Sequence, residues 1–342
     1  MSDRIWVEIT DVCGHIGFIL STLANFTVLT LLIVRPTKAL GTYKYLMIIF
    51  CIFSWFYTLV ETFMRPLIHM YDNTLFVMQR KRFQYSDLTA RTLSGIYCGC
   101  YAMSFTLIAV HFVYRYFATC KPENLRFFRG FKFVLWLLGA LSVAAFWGMV
   151  TFSLFAENDR TRRSFHYFLK KSYDLDPSWV SNVPYSYWPA EEKGDVGLNY
   201  VNILGIFQHG AIMTFSFSTV YYCGRQTHKT IKAHKGVSDR TRELQNQLFN
   251  ALVLQTLIPT VMMYIPTTML IVFPFLELNV GCYGNITTVT VQMYPGIDPL
   301  VLLFLIKDFR QTFLRIVCLG RDAKRNVSTT AMISYQLSSG NV

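Results

Sequence analysis

Charged residues are scarce in this sequence. Asp, Glu, Lys and Arg make up 15% of its 342 residues, whereas a typical soluble domain has about a quarter. Hydrophobic residues make up 53%, and the mean hydropathy is +0.33. This balance excludes an ordinary soluble domain. The net charge of +12 points to lipid headgroups and an acidic protein as partners, and we expect no nucleic acid.

Patterns typical of enzymes and metal sites are also missing. There is no HExxH motif and no CxxC pair, and His15, His69, His111 and His209 lie far apart, so an intramembrane zinc hydrolase is not indicated. The seventh apolar segment has no lysine, which a retinal Schiff base requires. The eight cysteines show no disulfide framework. We expect no enzymatic activity, no cofactor and no metal.

Seven apolar segments are each long enough to cross a bilayer, for which about 20 residues are needed. The absence of an internal repeat argues against most secondary transporters. The sequence predicts an all-α membrane protein, a seven-transmembrane helix bundle over residues 1–320, followed by a cytoplasmic disordered tail over 321–342. The predicted spans are Thr10–Val34, Tyr43–His69, Thr92–Tyr116, Phe131–Phe155, Leu198–Cys223, Leu248–Phe273 and Asn285–Ile306.

Basic residues gather on one side of the predicted spans. Of 32 Lys and Arg, 20 lie in the gaps after odd-numbered segments or at the span ends beside them, against 5 of the 20 Asp and Glu. Because basic loops stay in the cytoplasm, we expect the amino terminus outside and the carboxyl terminus inside a multi-pass plasma-membrane protein. Residues 307–315 alternate charged and apolar side chains, which predicts either an amphipathic eighth helix, with Cys318 as an acylation site, or a plain membrane-proximal helix.

Two acidic residues fall inside predicted spans, where an ionisable group is expected to be functional. Asp298 lies beside two prolines and a glycine that bend the helix. We interpret it as a switch, with a satisfied core acid as the alternative. Glu61 precedes Arg65 by four residues, which favours a structural ion pair on one helix face, with a ligand contact as the alternative.

The sixth span contains Pro259 and Pro266, which we predict to bend it, although prolines are common in membrane helices. A small apolar ligand is expected between the outer halves of spans three, five, six and seven. For each candidate contact, helix packing or lipid contact is the alternative. The candidates are Tyr97, Tyr101, Met103, Phe105, Phe207, His209, Met263, Tyr264 and Met293.

Short motifs resemble those of G-protein-coupled receptors. Arg115-Tyr116 matches the end of the (Asp/Glu)-Arg-Tyr motif, with Tyr114 in place of the acid; the alternative is an arginine that only reaches lipid headgroups. Asp298-Pro299 matches the start of the (Asn/Asp)-Pro-x-x-Tyr motif, with Leu302 in place of the tyrosine.

Longer segments resemble the nematode Str-type serpentine chemoreceptors, the family that includes the diacetyl odorant receptor. The resemblance covers nearly all of residues 1–320 and implies an olfactory receptor in the ciliary membrane of chemosensory neurons, with a small-molecule odorant as ligand and a heterotrimeric G protein as partner. It implies coupling or switch roles for Arg115, Tyr116, Arg240, Arg242, Asp298 and Pro299. The segments that carry it are 40–47, 80–83, 111–122, 237–242, 251–260 and 294–300.

Three points stay open in the sequence. Rhodopsin-like receptors bond a cysteine of the third helix to the second outer loop, but the matching position here is Ala90 and residues 156–197 contain no cysteine, so this loop must be held otherwise. Asn285-Ile286-Thr287 is a glycosylation sequon close to the membrane surface. A ligand-gated heptahelical channel subunit, with its amino terminus inside, is the alternative function.

Overall fold

The computed structural model describes residues 3–34, 41–187, 198–233 and 239–315. Within these ranges, seven helical segments are long and apolar enough to cross a membrane, which confirms the predicted seven-helix bundle. Residues 307–315 form a further helix, α10. The other helices are α1 (Ile5–Val34), α2 (Tyr43–Met64), α3 (Asp87–Cys120), α4 (Phe131–Leu154), α5 (Asp159–Phe168), α6 (Tyr200–Ala233), α7 (Asp239–Pro259), α8 (Ile265–Val272) and α9 (Asn285–Leu305).

Several helices are longer than the predicted spans, the third and the fifth among them. The third begins at Asp87 because the Ser86 hydroxyl accepts a hydrogen bond from the Thr89 amide at 3.2 Å and caps its first turn. The fifth continues to Ala233, so much of the predicted loop over 224–247 is helical. The sixth span, Glu243–Val272, consists of most of α7, a π-helical segment (Thr260–Tyr264) and α8.

The second helix ends at Met64 and does not reach His69 as predicted. Arg65 adopts a left-handed conformation (φ 48°), and the following proline cannot continue a helix. The chain instead forms a hairpin of β1 (Pro66–Tyr71) and β2 (Thr74–Arg80). Its turn residues Asp72 and Asn73 both have φ of 50°, as a type I′ hairpin turn requires.

The long loop after the fourth span is held by this hairpin. Its strand β3 (Val180–Ser186) pairs antiparallel with β2, from Thr74 opposite Ser186 to Arg80 opposite Val180. Helix α5 packs on the same hairpin through Phe165 and Phe168, which contact Phe76. All seven cysteines in the described part of the chain are free thiols. Strand pairing and aromatic packing therefore replace a disulfide there.

The bundle thus has two different ends. We call the end that carries β1, β2 and β3 the sheet end, and the opposite end, with Arg115 and α10, the Arg115 end. Between them, α3 and α4 pack closely at glycines: a Cβ atom on Gly148 would lie 2.6 Å from the Gly95 carbonyl oxygen. Close backbone contact of this kind is common between membrane helices, where dispersion replaces the hydrophobic effect.

Candidate ligand cavity and coupling elements

A cavity of about 260 Å³ lies between the sheet and the helices, among spans three to seven. Ile68, Leu75 and Val77 of the hairpin cover it at the sheet end. Sites for drug-sized ligands are commonly about 300–1,000 Å³, so this cavity fits a smaller molecule. Its walls are mostly apolar and aromatic and include Tyr97, Cys98, Tyr101, Trp147, Tyr185, Tyr187, Ile206, His209, Gly210, Met213, Thr267, Thr268, Leu270, Ile271, Val272, Thr287, Thr288 and Val291.

Three of the nine candidate ligand contacts line this cavity: Tyr97, Tyr101 and His209. His209 stacks on Trp147 with ring centroids 3.9 Å apart, and Tyr101 lies 5.9 Å from the same indole. Trp147 therefore joins spans three, four and five at the wall of the cavity.

Three other candidates form a buried aromatic layer next to the cavity. Phe105, Met263 and Tyr264 are almost fully inaccessible and do not line it. The Tyr264 ring contacts Tyr101 edge to face at 5.6 Å, and its hydroxyl is 2.9 Å from the Ser104 hydroxyl. This layer links the cavity wall to the π-helical segment of the sixth span.

The remaining candidates lie elsewhere. Phe207 is 73% exposed, because it lies two residues, and therefore about 200°, from His209 on the same helix. Met103 lines a surface groove beside α4 for the same reason, two residues from Tyr101. Met293 is half-buried and is not part of the cavity wall. These three predictions identified the correct helices but the wrong faces.

One polar atom in the cavity wall lacks a partner. The Thr288 hydroxyl is buried, lines the cavity and has no hydrogen-bond partner within the described residues. In contrast, the Tyr101 hydroxyl bonds to Thr267. The Tyr185 hydroxyl bonds to Cys98 and Thr151. Because a buried unpaired hydroxyl costs free energy, a hydrogen bond from Thr288 to a ligand oxygen would be favourable.

The predicted ion pair of Glu61 with Arg65 is wrong. The left-handed backbone at Arg65 ends the helix and turns its side chain to Asp11 of α1, with Nη2 and Oδ2 2.5 Å apart. Arg80 of β2 binds the same carboxylate at 2.6 Å. Glu61 is buried and has Tyr97 as its hydrogen-bonding neighbour. Asp11 thus fastens the hairpin to the first span.

A second set of hydrogen bonds fastens the sheet end to α9. The Asn285 side chain accepts from the Ile68 amide at 2.8 Å and donates to the Tyr173 hydroxyl at 3.1 Å. Tyr173 also bonds His69 Nδ1 at 3.0 Å, and His69 stacks on Phe168. Burial lowers the pKa of His69 to about 4. Since Asn285 is fully buried, its side chain has no room for a glycan in the folded protein.

The membrane-embedded carboxyl of Asp298 joins the sixth and seventh spans. It is 1% exposed, and its Oδ2 accepts a hydrogen bond from Gln255 Nε2 at 2.8 Å. Its Oδ1 has no partner within the described residues. Nearby, Asn25 of α1 donates a hydrogen bond at 3.0 Å to the carbonyl of Pro295, one of the two prolines inside α9. Pro299 is buried in the same helix.

At the Arg115 end, the third span and α10 are both bonded to the sixth span. Arg115 is 2% exposed and donates to the side-chain oxygen of Gln245 at 2.6 Å. Glu243 pairs with Lys307 of α10, whose amide donates to Gln247 at 3.2 Å. Arg115 also lies over the Tyr43 ring, 5.4 Å from its centroid. Helix α10 therefore follows the bundle as predicted, with Phe309 buried against it.

Other predicted residues are placed as follows. Tyr116 contacts Tyr222 of α6 edge to face at 6.0 Å. Pro259 ends α7 and Pro266 lies in the first turn of α8, so the two prolines flank the π-helical segment. The side chains of Arg240 and Arg242, Cys318 and the tail over 321–342 lie outside the described residues. The described residues contain no cluster of three His, Cys, Asp or Glu that could hold a metal.

Comparison with known proteins gives the family. The family described as "Serpentine type 7TM GPCR chemoreceptor Str" matches residues 10–314. The chain belongs to this family. It is 42% identical over 319 residues to "Serpentine receptor class r-10" of Caenorhabditis elegans, covering 93% of this chain and 94% of that protein. It is 40% identical to the receptor of the same name from Caenorhabditis briggsae, covering 94% of both chains. It is 30% identical to "G-protein coupled receptor str-217" of Caenorhabditis elegans over 87% of both chains.

Family membership confirms the resemblance seen in the sequence. The Str family is a family of receptors, so it does not favour the channel alternative. Several residues with a place in the structure were not predicted, among them Trp147, Thr288, Gln245 and Gln255. Gln255 could have been predicted from the sequence, because an amide side chain within an apolar span needs a hydrogen-bond partner.

Proposed function

We propose that this Str-family protein detects a small, apolar odorant in the cavity and activates a heterotrimeric G protein at the Arg115 end. The observation that carries the proposal is that the sixth span connects both places. It contributes Thr267 and Leu270 to the cavity wall, and Gln245 to the hydrogen bond with Arg115.

The ligand class follows from the cavity wall. Apolar and aromatic side chains favour a compact apolar molecule, and the unpaired hydroxyl of Thr288 favours an oxygen function on it. An oxygen that accepts from Thr288 would satisfy a buried donor, which contributes about 1 kcal/mol. Ligands with a net charge would lack a counter-ion in this wall and are disfavoured.

Coupling would run along the sixth span. A ligand that shifts Tyr101 would move Tyr264 in the π-helical segment, whose flanking Pro259 and Pro266 leave fewer backbone hydrogen bonds to resist a bend. The Gln255–Asp298 hydrogen bond holds the sixth span to the seventh. A bend of the sixth span would break this bond, so Asp298 acts as the switch. The ligand stabilises the conformation that it binds better, which is a population shift.

The Arg115 end would then dock the G protein. Release of Gln245 frees Arg115, and the basic residues of this end, with Arg240, Arg242 and α10, would face an acidic partner surface. This role requires the Arg115 end to be cytoplasmic, as the charge distribution of the sequence predicts. From the resemblance to Str-type chemoreceptors we also assign the receptor to the ciliary membrane of chemosensory neurons.

Replacement of Arg115 by Ala tests the proposal in reporter cells. Cells that express the receptor are screened with volatile and water-soluble compounds, and surface expression is measured with an epitope tag on the amino terminus. We expect Arg115→Ala to abolish ligand-evoked signalling at unchanged surface expression. Undiminished signalling would reject the coupling role. A tag that stains only after permeabilisation would reject the orientation.

A further inference from the structure

We propose that the ligand reaches the cavity sideways, from the lipid bilayer, through the gap between α6 and α8. The inference rests on the ligand-detecting role proposed above and adds two things to it. It names the route, and it narrows the ligand class to compounds that partition into lipid.

The route from the sheet end is closed. The hairpin pairs with β3 along its whole length, from Thr74 to Arg80. The Tyr187 hydroxyl donates to the Ile271 carbonyl at 2.9 Å and so fastens the end of β3 to the sixth span. Leu75, which lines the cavity from the sheet, is only 2% exposed. A solute in water would have to break these contacts before it could enter.

The wall between α6 and α8 is different. Gly210 of α6 and Thr268 and Val272 of α8 line the cavity and are also exposed on the surface of the bundle. A residue that lines the cavity and is also exposed on the bundle surface lies at an opening between the two. Gly210 lies about 15 Å along α6 from its first residue, and its neighbours Leu204 and Phe207 are 62% and 73% exposed. Large exposed apolar side chains on a membrane span face lipid, so this opening faces the bilayer.

The opening is bridged weakly. The contact across it joins the Met213 sulfur and the Thr268 hydroxyl at 4.0 Å. A Cβ atom on Gly210 would meet no heavy atom of another residue within 4 Å. Methionine is flexible and adapts to what passes it. A small apolar molecule can therefore displace one side chain to enter, whereas a charged molecule would first have to cross hydrocarbon.

A photolabelling experiment tests this route without knowledge of the ligand. The full-length receptor is reconstituted in phosphatidylcholine vesicles and irradiated with 3-phenyl-3-(trifluoromethyl)diazirine, which partitions into lipid, or with its ring-sulfonated derivative, which stays in water. Mass spectrometry then quantifies adducts on Tyr101 and Thr288 in the cavity, relative to adducts on Phe207 at the lipid-facing surface.

Gly210→Leu closes the opening in this experiment. Its matched control is Gly139→Leu on α4, which is also exposed with open space beside it but does not line the cavity. We expect the apolar reagent to label the cavity and the sulfonated reagent to leave it unlabelled. Because a leucine side chain fills the gap and slows entry, Gly210→Leu should remove most of the cavity labelling found when the sample is irradiated shortly after the reagent is added, while Gly139→Leu leaves it unchanged.

Three results would overturn the route. They are cavity labelling by the sulfonated reagent as strong as by the apolar one, labelling that Gly210→Leu does not reduce, and labelling of Phe207 without labelling of the cavity. Labelling needs no G protein and no receptor activation. A receptor that fails to signal therefore leaves this test intact, and a failed route leaves the Arg115→Ala test intact.

Discussion

The guanidinium of Arg115 donates two hydrogen bonds to Gln245, one to its backbone carbonyl at 3.0 Å and one to its side-chain oxygen at 2.6 Å. Both acceptors are neutral, and the third neighbour of the guanidinium is the face of the Tyr43 ring. The Nε atom of Arg115 is buried without an acceptor in the described part of the chain. We call the conformation in which Arg115 is bonded to Gln245 the closed state. Because the guanidinium is only partly hydrogen-bonded in this state, an acidic partner can compete with Gln245 for it.

Loss of the Gln245 side chain should raise basal signalling. In Gln245→Ala the charged hydrogen bond is lost while the backbone bond can remain. A hydrogen bond to a charged group contributes about 1.5–3 kcal/mol, so the closed state should lose at least about tenfold in relative population. The measurement is ligand-free nucleotide exchange on the G protein, normalised to surface receptor.

The control for this prediction is Asn250→Ala, an exposed amide on the same helix, which should leave basal exchange unchanged. Gln245→Glu offers a charged acceptor to Arg115 and should lower basal exchange. Equal basal exchange in the wild type, Gln245→Ala and Gln245→Glu would show that this contact does not hold the closed state.

The Gln255–Asp298 contact should behave as a coupled buried pair. Gln255→Leu leaves the carboxyl of Asp298 without any partner among the described residues, at a cost of about 1–3 kcal/mol. The double variant Gln255→Leu/Asp298→Leu removes both polar groups and should recover most of this loss, because an apolar pair leaves nothing unsatisfied. Thermal melting of the purified receptor in detergent measures the three variants in a double-mutant cycle.

Additive effects of Gln255→Leu and Asp298→Leu would contradict this coupling. Asp298→Asn separates charge from hydrogen bonding, because it keeps the size and one acceptor of the side chain. If Asp298 is the switch, Asp298→Asn should change ligand-evoked signalling at nearly unchanged melting temperature.

Much of the fold could be predicted from the sequence, because seven long apolar segments have few other structures in a membrane. The hairpin could not, since Pro66–His69 continues the apolar run of the helix before it and falls within the predicted span Tyr43–His69. Two local signals marked it: Pro66, which ends a helix, and Asp72-Asn73 between two apolar runs, which suits a type I′ turn. The pairing of β2 with β3 joins residues at least 100 positions apart, which no local pattern specifies.

The site was predicted less well than the fold, for a physical reason. In a membrane span, side chains that face lipid are as apolar as those that face the interior, so composition does not separate the exposed Phe207 from the buried Phe105. The Glu61–Arg65 pair failed because helical spacing assumes a continuing helix, and the helix ends at Met64. His209 and Tyr101 were predicted by the same aromatic and Met-rich criterion as Phe207; their polar atoms, which favour the interior of the bundle, were not used.

Acid should loosen the sheet end through His69. Its pKa in the folded protein is about 4, because burial between Phe168 and Tyr173 disfavours the charged ring and the distant charge of Asp3 only partly offsets this. The pKa of an unfolded histidine is about 6.5. Stability from the buried neutral ring is therefore fully present above about pH 6.5 and is lost as the pH falls from about 6.5 to about 4.

Hydrogen exchange of the β1 amides, corrected for intrinsic rates, measures this loss between pH 7.5 and pH 5. His69→Phe keeps the stacking with Phe168 but cannot take up a proton, so it should remove the pH dependence. His166→Gln, an exposed histidine of α5, should keep it. Protection of β1 that stays constant over this range in the wild type would contradict the prediction.

The sequon at Asn285 should not carry a glycan. Its side chain is fully buried and makes hydrogen bonds with Ile68, Tyr173 and Cys282. Endoglycosidase treatment of the receptor from eukaryotic cells should leave its mass unchanged. A sequon in an amino-terminal tag serves as the positive control and also tests orientation, because only an external tag is glycosylated. Loss of mass in the untagged receptor that Asn285→Gln abolishes would contradict the buried position.

The hydroxyl of Thr288 should discriminate between ligands with and without an oxygen acceptor. Thr288→Val keeps the shape of the side chain and removes the cavity donor that lacks a partner among the described residues. We expect potency for a ketone or alcohol ligand to fall about tenfold, which corresponds to a hydrogen bond of about 1.4 kcal/mol. Thr290→Val, on the same helix but outside the cavity wall, should leave potency unchanged. Concentration–response curves in reporter cells measure the potency of a ligand found by screening and of its hydrocarbon isostere. An equal loss of potency for both would mean that Thr288 contributes shape and not a hydrogen bond.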